Sequence, residues 1–342
     1  MMTKKTLLQE FKNKKILITG GTGSIGLELT KQIMKYQPST IRILTNDENS
    51  IFEMKQEFPN NGILTFMIGD VRDRSRLDLA IKNIDIVYHT AAMKHVDICE
   101  QNPFDAIKTN VVGTSNILEA SIIENVSKFI FISTDKATSP TSTLGASKLL
   151  AERLTLDASS YRGKGRTIFS IVRFGNVIGS RGSVFQIFLK QIREGLPLTV
   201  TDQRMTRFIM SIPEAANLIL EVTRITKDGE IFILKMPSVK ILELAKSMIR
   251  VWKTSIAPSK STTNIKISKL RDGERFHELL IAYDEMTRCQ DLGKMYKITK
   301  HIKNYKKFDK NNISSETAPK ISEERLDQII SELIKKDIFS NI

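Results

Sequence analysis

The sequence predicts an α/β fold, a doubly wound parallel sheet that carries a smaller C-terminal lobe. Three observations lead there. From Lys14 onward, short β-branched apolar runs alternate with longer segments of helical period, the pattern of strand–helix–strand units in a sheet covered on both faces. Gly20, Gly23 and Gly26, spaced three apart, lie directly between the first apolar run and the first helical segment. Beyond about Gly179 the alternation breaks up, with Gly195-Leu196-Pro197, Lys227-Asp228-Gly229 and Met236-Pro237 marking turns between shorter elements.

Taken in chain order, strands are predicted at Lys15–Thr19, Ile41–Thr45, Leu64–Ile68, Ile84–His89, Lys128–Ser133 and Thr167–Arg173. Each is a short run of branched and aromatic residues, which pack well on a pleated surface. Ser24–Tyr36 and Asp105–Glu124 read as amphipathic helices, and Gly113 inside the second is costly there unless close packing needs it. Six strands fit a nucleotide-binding sheet of the doubly wound kind. The expected division is a dinucleotide-binding domain over residues 1–178, then 179–300 as mainly a substrate lobe with some return to the sheet. Residues 301–342 complete it as a basic connector and an amphipathic helix. In that helix, Ser322–Lys335, Leu326, Ile329, Ile330, Leu333 and Ile334 share one face, with Ser322 as cap and Glu323 and Glu324 in the first turn. It is expected to dock on its own chain, with the polar, Lys-rich stretch Lys300–Lys320 before it a mobile or surface-hugging connector.

Composition narrows the function classes. At 342 residues and 41% hydrophobic content the chain can bury a large core, which excludes disorder of the whole. Cys99 and Cys289 lie far apart without a Cys-x-x-Cys pair, so neither a disulfide framework nor a thiolate metal site is expected. Met1–Leu7 has basic residues but no apolar signal core, and no apolar run is long enough to span a bilayer, so a cytoplasmic protein without membrane insertion is expected. The net charge of +14 is thickest between Lys300 and Lys320 and has no aromatic-interleaved basic motif. That argues against nucleic acid and for a solvated surface, from which an anionic nucleotide-linked substrate would also benefit.

The glycine loop brings backbone N–H groups at a helix N-terminus toward a pyrophosphate, which makes Gly20, Thr22, Gly23, Ser24, Ile25 and Gly26 candidate dinucleotide-binding residues. Asp47 ends the second strand about twenty residues on, where a carboxylate accepts from an adenosine ribose. Asp70 and Val71 follow the third strand, at the expected adenine edge. After the fourth strand, the small Ala91 and Ala92 let backbone lie against a cofactor, and Lys94 and His95 stand near the strand's carboxyl end. Ser133-Thr134-Asp135-Lys136-Ala137 closes the fifth strand, and Leu144-Gly145-Ala146-Ser147-Lys148 follows. Asp135 and Lys136 are the candidate acid–base pair, since a cation and carboxylate in a desolvated cleft have movable pKa values.

These stretches resemble the extended short-chain dehydrogenases/reductases, and within them the CapD-like polysaccharide-biosynthesis branch, the UDP-N-acetylglucosamine 4,6-dehydratases. The matching segments are Thr19–Gly26, Ala91–Val96 with Asn102-Pro103, Thr109–Thr114, Ser133–Ala137, Gly145–Lys148, Arg173–Val177 with Gly179–Val184, Met205–Met210 and Arg271–Glu278. The resemblance implies a Rossmann-type sheet, a tightly bound NAD or NADP, a UDP-sugar substrate, UDP-GlcNAc first among them, and a homo-oligomer. It implies a redox-neutral elimination: oxidation at carbon 4, loss of water across carbons 5 and 6, and hydride return to carbon 6. In that scheme Lys136 is the base at carbon 5, Asp135 the acid for the carbon 6 hydroxyl, and Thr134 orients the sugar. Lys148 holds the nicotinamide ribose. It implies further that Asn110 and Lys94 serve the cofactor, that Lys94, His95, Asn176 and Arg181 meet the sugar and diphosphate, and that Arg207, Arg271 and Glu274 clamp the nucleotide.

Two departures from the family pattern matter. Leu144 stands where a Tyr-x-x-x-Lys motif has its phenol, which disfavours a UDP-sugar 4-epimerase, the nearest alternative activity. It is also the one feature that favours a catalytically silent dinucleotide-binding sensor or scaffold. Asn46-Asp47-Glu48-Asn49-Ser50 holds no Arg or Lys for a 2′-phosphate, so NAD is expected over NADP.

Overall fold

The computed structural model describes residues 4–59, 61–255, 264–270, 272–300 and 312–339. Six parallel strands, β1 Lys15–Thr19, β2 Thr40–Thr45, β3 Leu64–Ile68, β4 Ile86–His89, β5 Lys128–Thr134 and β6 Ile168–Phe174, pair in the order β3-β2-β1-β4-β5-β6. Beyond β6 the chain returns to the sheet. Glu230–Leu234 pairs parallel with β6, and Met295–Thr299 and Cys289–Asp291 close that edge antiparallel. The order reverses at β1, between β2 and β4, and that is where a crevice opens at the carboxyl ends of the strands.

Consecutive residues such as Ile16, Leu17 and Ile18 are fully buried, so both faces of the sheet are covered. Helix Ser24–Met34 packs with Ile212–Ile225, and Arg74–Ala80, Gly113–Ile123 and Thr143–Asp157 form a second group. Among the described residues, no helix is long and apolar enough to cross a membrane.

The expected single helix over Asp105–Glu124 is three pieces: Pro103–Ile107, a wide π turn over Lys108–Val112, and Gly113–Ile123. Gly113 is there because of close packing, since a Cβ on it would sit 2.6 Å from a methyl of Val71.

A second apolar core lies apart from the sheet. Helices Val184–Arg193 and Ile241–Ser255 contribute Phe185, Phe188, Leu189, Leu244 and Met248, and helix Glu323–Phe339 adds Leu326, Ile329, Ile330 and Ile334. The last helix therefore docks on its own chain with the face the sequence predicts. Its first turn is capped by Ser322, whose hydroxyl accepts from the Arg325 N–H at 3.3 Å.

The stretch before it is not a loose connector over its described part; residues 301–311 lie outside the described residues. Leu280 N–H donates to the Ile313 carbonyl at 2.8 Å, Ser315 N–H to Glu278 at 2.9 Å, and Ser238 N–H to Pro319 at 2.9 Å. Backbone pairing satisfies groups that burial would otherwise orphan, and it ties residues 313–319 to Leu280, Glu278 and Ser238.

Candidate active site

A cleft of about 960 Å³ runs from the glycine loop, past the ends of β4 and β5, to the second core. Its two ends are built differently.

The glycine-loop end is backbone. Gly20 has φ +64°, and a Cβ there would lie 2.8 Å from the main chain of Ala91, so only glycine lets the β1 turn lie against the β4 loop. Helix Ser24–Met34 starts at Gly23 without a side-chain cap, leaving its first N–H groups and the positive end of its dipole turned to the cleft. Thr22, Ser24, Ile25, Gly26, Ala91 and Ala92 line the same wall. The cradle fits a dinucleotide pyrophosphate. Lys148 is buried deeper, donating to the Ile132 carbonyl at 2.8 Å with its ammonium 4.5 Å from the Phe131 ring centre. Burial lowers its pKa from 10.5 to about 8.

The other end is a cluster of charges drawn from distant segments. Asp135 and Lys136 form a tight turn after β5, opened by Thr134, whose hydroxyl accepts from the Lys136 N–H. The Lys136 ammonium lies 3.1 Å from Asp135 Oδ1, 3.2 Å from Glu278 Oε1 and 3.4 Å from Asn176 Oδ1. Thr134 donates to Asp135 Oδ1 at 3.0 Å. Arg207 Nε stands 3.7 Å from Glu278 Oε1. Among the described residues, Asp135 Oδ2 and Glu278 Oε2 are buried without a hydrogen-bond partner. A side chain at Gly175 would press on this cluster, its Cβ falling 2.7 Å from Phe208 Cβ and 3.0 Å from Asp135 Oδ2.

Thr134, Lys136, Asn176, Arg207, Glu274 and Glu278 line the cleft, whereas Asp135 lies one layer beneath it, 0% exposed. Burial pushes the Asp135 carboxyl above its ordinary range; Lys136 opposes the rise and Glu278 adds to it. Burial also works against the Lys136 ammonium, but Asp135 and Glu278 outweigh it and hold the pKa above 10.5. Glu278 is likewise pushed up by burial, yet Lys136 and Arg207 leave it below its ordinary value. Of the two carboxylates on one lysine, Asp135 is the one that takes a proton more readily.

Several expected positions do other work. Both carboxylate oxygens of Asp47 are engaged by Ser50, one by its N–H at 3.1 Å and one by its hydroxyl. It caps helix Glu48–Glu57 from the cleft's rim, because a carboxylate at a helix N-terminus satisfies orphan donors. Asp70 is held by Arg72 at 2.7 Å and Asn46 at 3.2 Å, so Val71 beside it offers backbone and a buried methyl surface to the cleft. Asn110 does not line the cleft: it binds Met93 N–H at 2.9 Å, Met93 O at 3.1 Å and Ser147 at 3.0 Å, and orders the β4 loop.

Arg181, expected at the sugar and diphosphate, lines the cleft. Its N–H donates to Ser24 Oγ at 3.1 Å and its guanidinium to Ser50 at 3.2 Å, at the glycine-loop end. Lys94 donates to the Arg181 carbonyl at 2.5 Å, and His95 packs against Gly182. Arg207 spends one nitrogen on the Thr206 and Phe276 carbonyls, at 2.8 and 3.2 Å. Arg271 lies outside the described residues.

Leu144 is 3% exposed and packs with Cys99 and Ala106 under the cleft wall, so the place of a phenol is apolar. Glu278 is the site residue that sequence reasoning passed over. It closes the segment Arg271–Glu278, and a carboxylate after His277 gives no sign of a lysine 142 positions earlier (278 − 136).

Residues 16–300 match the family model described as polysaccharide biosynthesis protein. A Methanocaldococcus jannaschii protein described as an uncharacterized membrane protein is 46% identical over 94% of this chain and 97% of its own. The inverting UDP-N-acetylglucosamine 4,6-dehydratase of Campylobacter jejuni is 42% identical over 86% of this chain and 85% of its own. A Rickettsia bellii protein named UDP-glucose 4-epimerase is 38% identical over 84% and 83%. Among solved structures, Pen from Bacillus thuringiensis superposes with TM-score 0.89 at 39% identity, covering 94% of this chain and 98% of that one.

Proposed function

Because the chain belongs to the polysaccharide biosynthesis protein family, in the CapD-like branch of the extended short-chain dehydrogenases, we propose that it is a nucleotide-sugar 4,6-dehydratase. Its substrate in this reading is UDP-GlcNAc and its product a UDP-2-acetamido-2,6-dideoxy-4-hexulose. One observation carries the proposal: a buried Asp135 lies 3.1 Å from the cleft-lining Lys136 at the end of β5 while the phenol's place is taken by Leu144. An epimerase exchanges a single hydroxyl proton, whereas a dehydratase needs an acid and a base together.

Gly20, Gly23, Ser24 and Ala91 would hold a nicotinamide dinucleotide, and Lys148 its nicotinamide ribose. When bound, that group supplies a hydride acceptor at carbon 4 and a hydride donor at carbon 6. The chain's own residues move the protons. The carbon 4 hydroxyl proton passes through Thr134 to Asp135, whose burial favours the protonated form. Thr134 is on the cleft wall and Asp135 behind it, so the hydroxyl is the relay between them. Lys136, the amine on the wall, removes the carbon 5 proton in its neutral form. The proton stored on Asp135 leaves with the carbon 6 hydroxyl as water, and Lys136 returns a proton to carbon 5. Each group ends as it began. Such acid–base steps contribute roughly 10²–10⁴-fold each.

The test is incubation with UDP-GlcNAc in deuterated water, followed by proton NMR and mass spectrometry. The dehydratase gives a product lighter by one water with deuterium at carbon 5. A UDP-sugar of unchanged composition with an inverted carbon 4 overturns the reading in favour of the epimerase named among the relatives.

A further inference from the structure

We propose that Glu278 is a positioning residue for Lys136, fixing both the aim of its amine and the pH at which that amine becomes a base. The inference rests on the dehydratase reading for its consequence in turnover, but not for its geometry.

Lys136 stands between two carboxylates, Asp135 behind and Glu278 on the cleft wall, at 3.1 and 3.2 Å. The Lys136 ammonium is thus pulled toward the cleft by one anion and away from it by the other. A base at carbon 5 has to be neutral, and each anion within about 4 Å raises the pH at which it becomes so. Glu278 in turn is not free to drift. Its N–H donates to Ser315 Oγ at 2.9 Å and its carbonyl accepts from Ser315 N–H at 2.9 Å. Ser315 is 0% exposed and also bonds the hydroxyl of Thr206 at 2.8 Å. The Glu278 backbone, from which the carboxylate projects, is therefore held by Ser315, a residue that does not line the cleft.

The charged groups around Lys136 are Asp135 on its own turn, Arg207 on strand Thr206–Met210, and Glu278 and Arg275 on the segment before Ser315. Arg207 opposes Glu278: it lowers the lysine while Glu278 raises it. Neutralising either one must then move Lys136 in opposite directions.

The experiment measures the pH dependence of Lys136 labelling by trace acetic anhydride, read by mass spectrometry on the full chain, for wild type, Glu278→Gln and Arg207→Gln. The expected midpoint falls by about one pH unit or more in Glu278→Gln and rises in Arg207→Gln. A midpoint unchanged in a folded Glu278→Gln overturns the proposal, as does a shift of the same sign in both variants. Should Glu278→Gln fail to fold, the Arg207→Gln shift and a wild-type-like midpoint in Glu278→Asp decide the matter. Turnover is the second readout. The acid limb of the kcat/KM profile shifts to lower pH in Glu278→Gln, whereas a structural defect lowers its height in place. If labelling shifts as expected but UDP-GlcNAc is not dehydrated by wild type, the dehydratase reading fails and the coupling of Glu278 to Lys136 stands.

Discussion

The two ends of the cleft solve opposite problems. The glycine-loop end faces a ligand with its own negative charge, and it meets that charge with peptide N–H groups and a helix terminus, keeping side chains out of the way: Gly20 against Ala91, Gly23 as an uncapped start. The β5 end, which in the proposed reaction would face a neutral sugar ring, supplies the charges itself, with Asp135, Lys136, Glu278 and Arg207 inside a few ångströms. The first end is rigid because it is short in sequence, a strand, a turn and a helix. The second is rigid because buried ion pairs and backbone bonds from residues 313–319 leave its members nowhere to go. A recognition surface for an anion can be made locally; an acid–base device has to be assembled.

This contrast predicts which variants damage which end. The largest effect is expected for Asp135→Asn, which keeps the shape and removes the proton acceptor. Turnover should fall by roughly 10³-fold or more while bound dinucleotide, released by heat and quantified, stays at the wild-type level. Loss of the cofactor in that variant would mean the two ends are not independent.

Next is a buried ionic triad that belongs to neither end. Arg173 donates to Glu152 at 2.6 Å and to Glu285 at 2.8 Å, all within the core. Arg173→Met leaves two buried carboxylates unpaired and should cost about 3–5 kcal/mol in denaturant unfolding. A neutral result would show that the ion pairs beneath the cleft are not what fixes it.

A third prediction concerns pH. Burial holds Lys148 at about 8 in the folded chain against 10.5 when unfolded. Between those values the unfolded chain binds the extra proton, so folding stability rises with pH across that window. Measured against Lys148→Met without cofactor, wild type should gain on the order of 3 kcal/mol from pH 8 to 10.5. A flat difference would place the lysine in contact with water.

The smallest effect is expected for Gly20→Ala, confined to the backbone end. The strained φ and the Ala91 contact should weaken dinucleotide binding about tenfold by titration calorimetry, costing about 1.4 kcal/mol, without altering the titration of Lys136.

The same contrast explains what the sequence could show. β1 to β6 fall within two residues of the predicted runs because branched apolar stretches and the turns between them are local signals. Asp135 and Lys136 were legible because they are adjacent. The capping role of Asp47 was not legible, because a cap and a ligand carboxylate occupy the same position after a strand and only the contacts of Ser50 reveal the cap. The partners of Asn110 at Met93 and Ser147 were likewise not legible, because packing sets them. That Arg181 lies near Ser24 and Ser50 was not legible, since a loop's path over the sheet has no periodicity to read. Glu278 and Ser315 were missed altogether, because the contact that gives each its meaning is made by the fold.

The clamp by Ser315 also orders events in time. Thr206 and Ser315 share a hydrogen bond across 109 residues, which a ribosome takes on the order of 5–20 seconds to synthesise. Throughout that interval the glycine loop and the Asp135–Lys136 turn have already been made, while Glu278 is at first not yet synthesised and then, until Ser315 follows it, without its backbone partner. The nascent chain can therefore acquire its nucleotide cradle well before its acid–base cluster is set, and a dinucleotide taken up early would wait in a protein not yet able to use it.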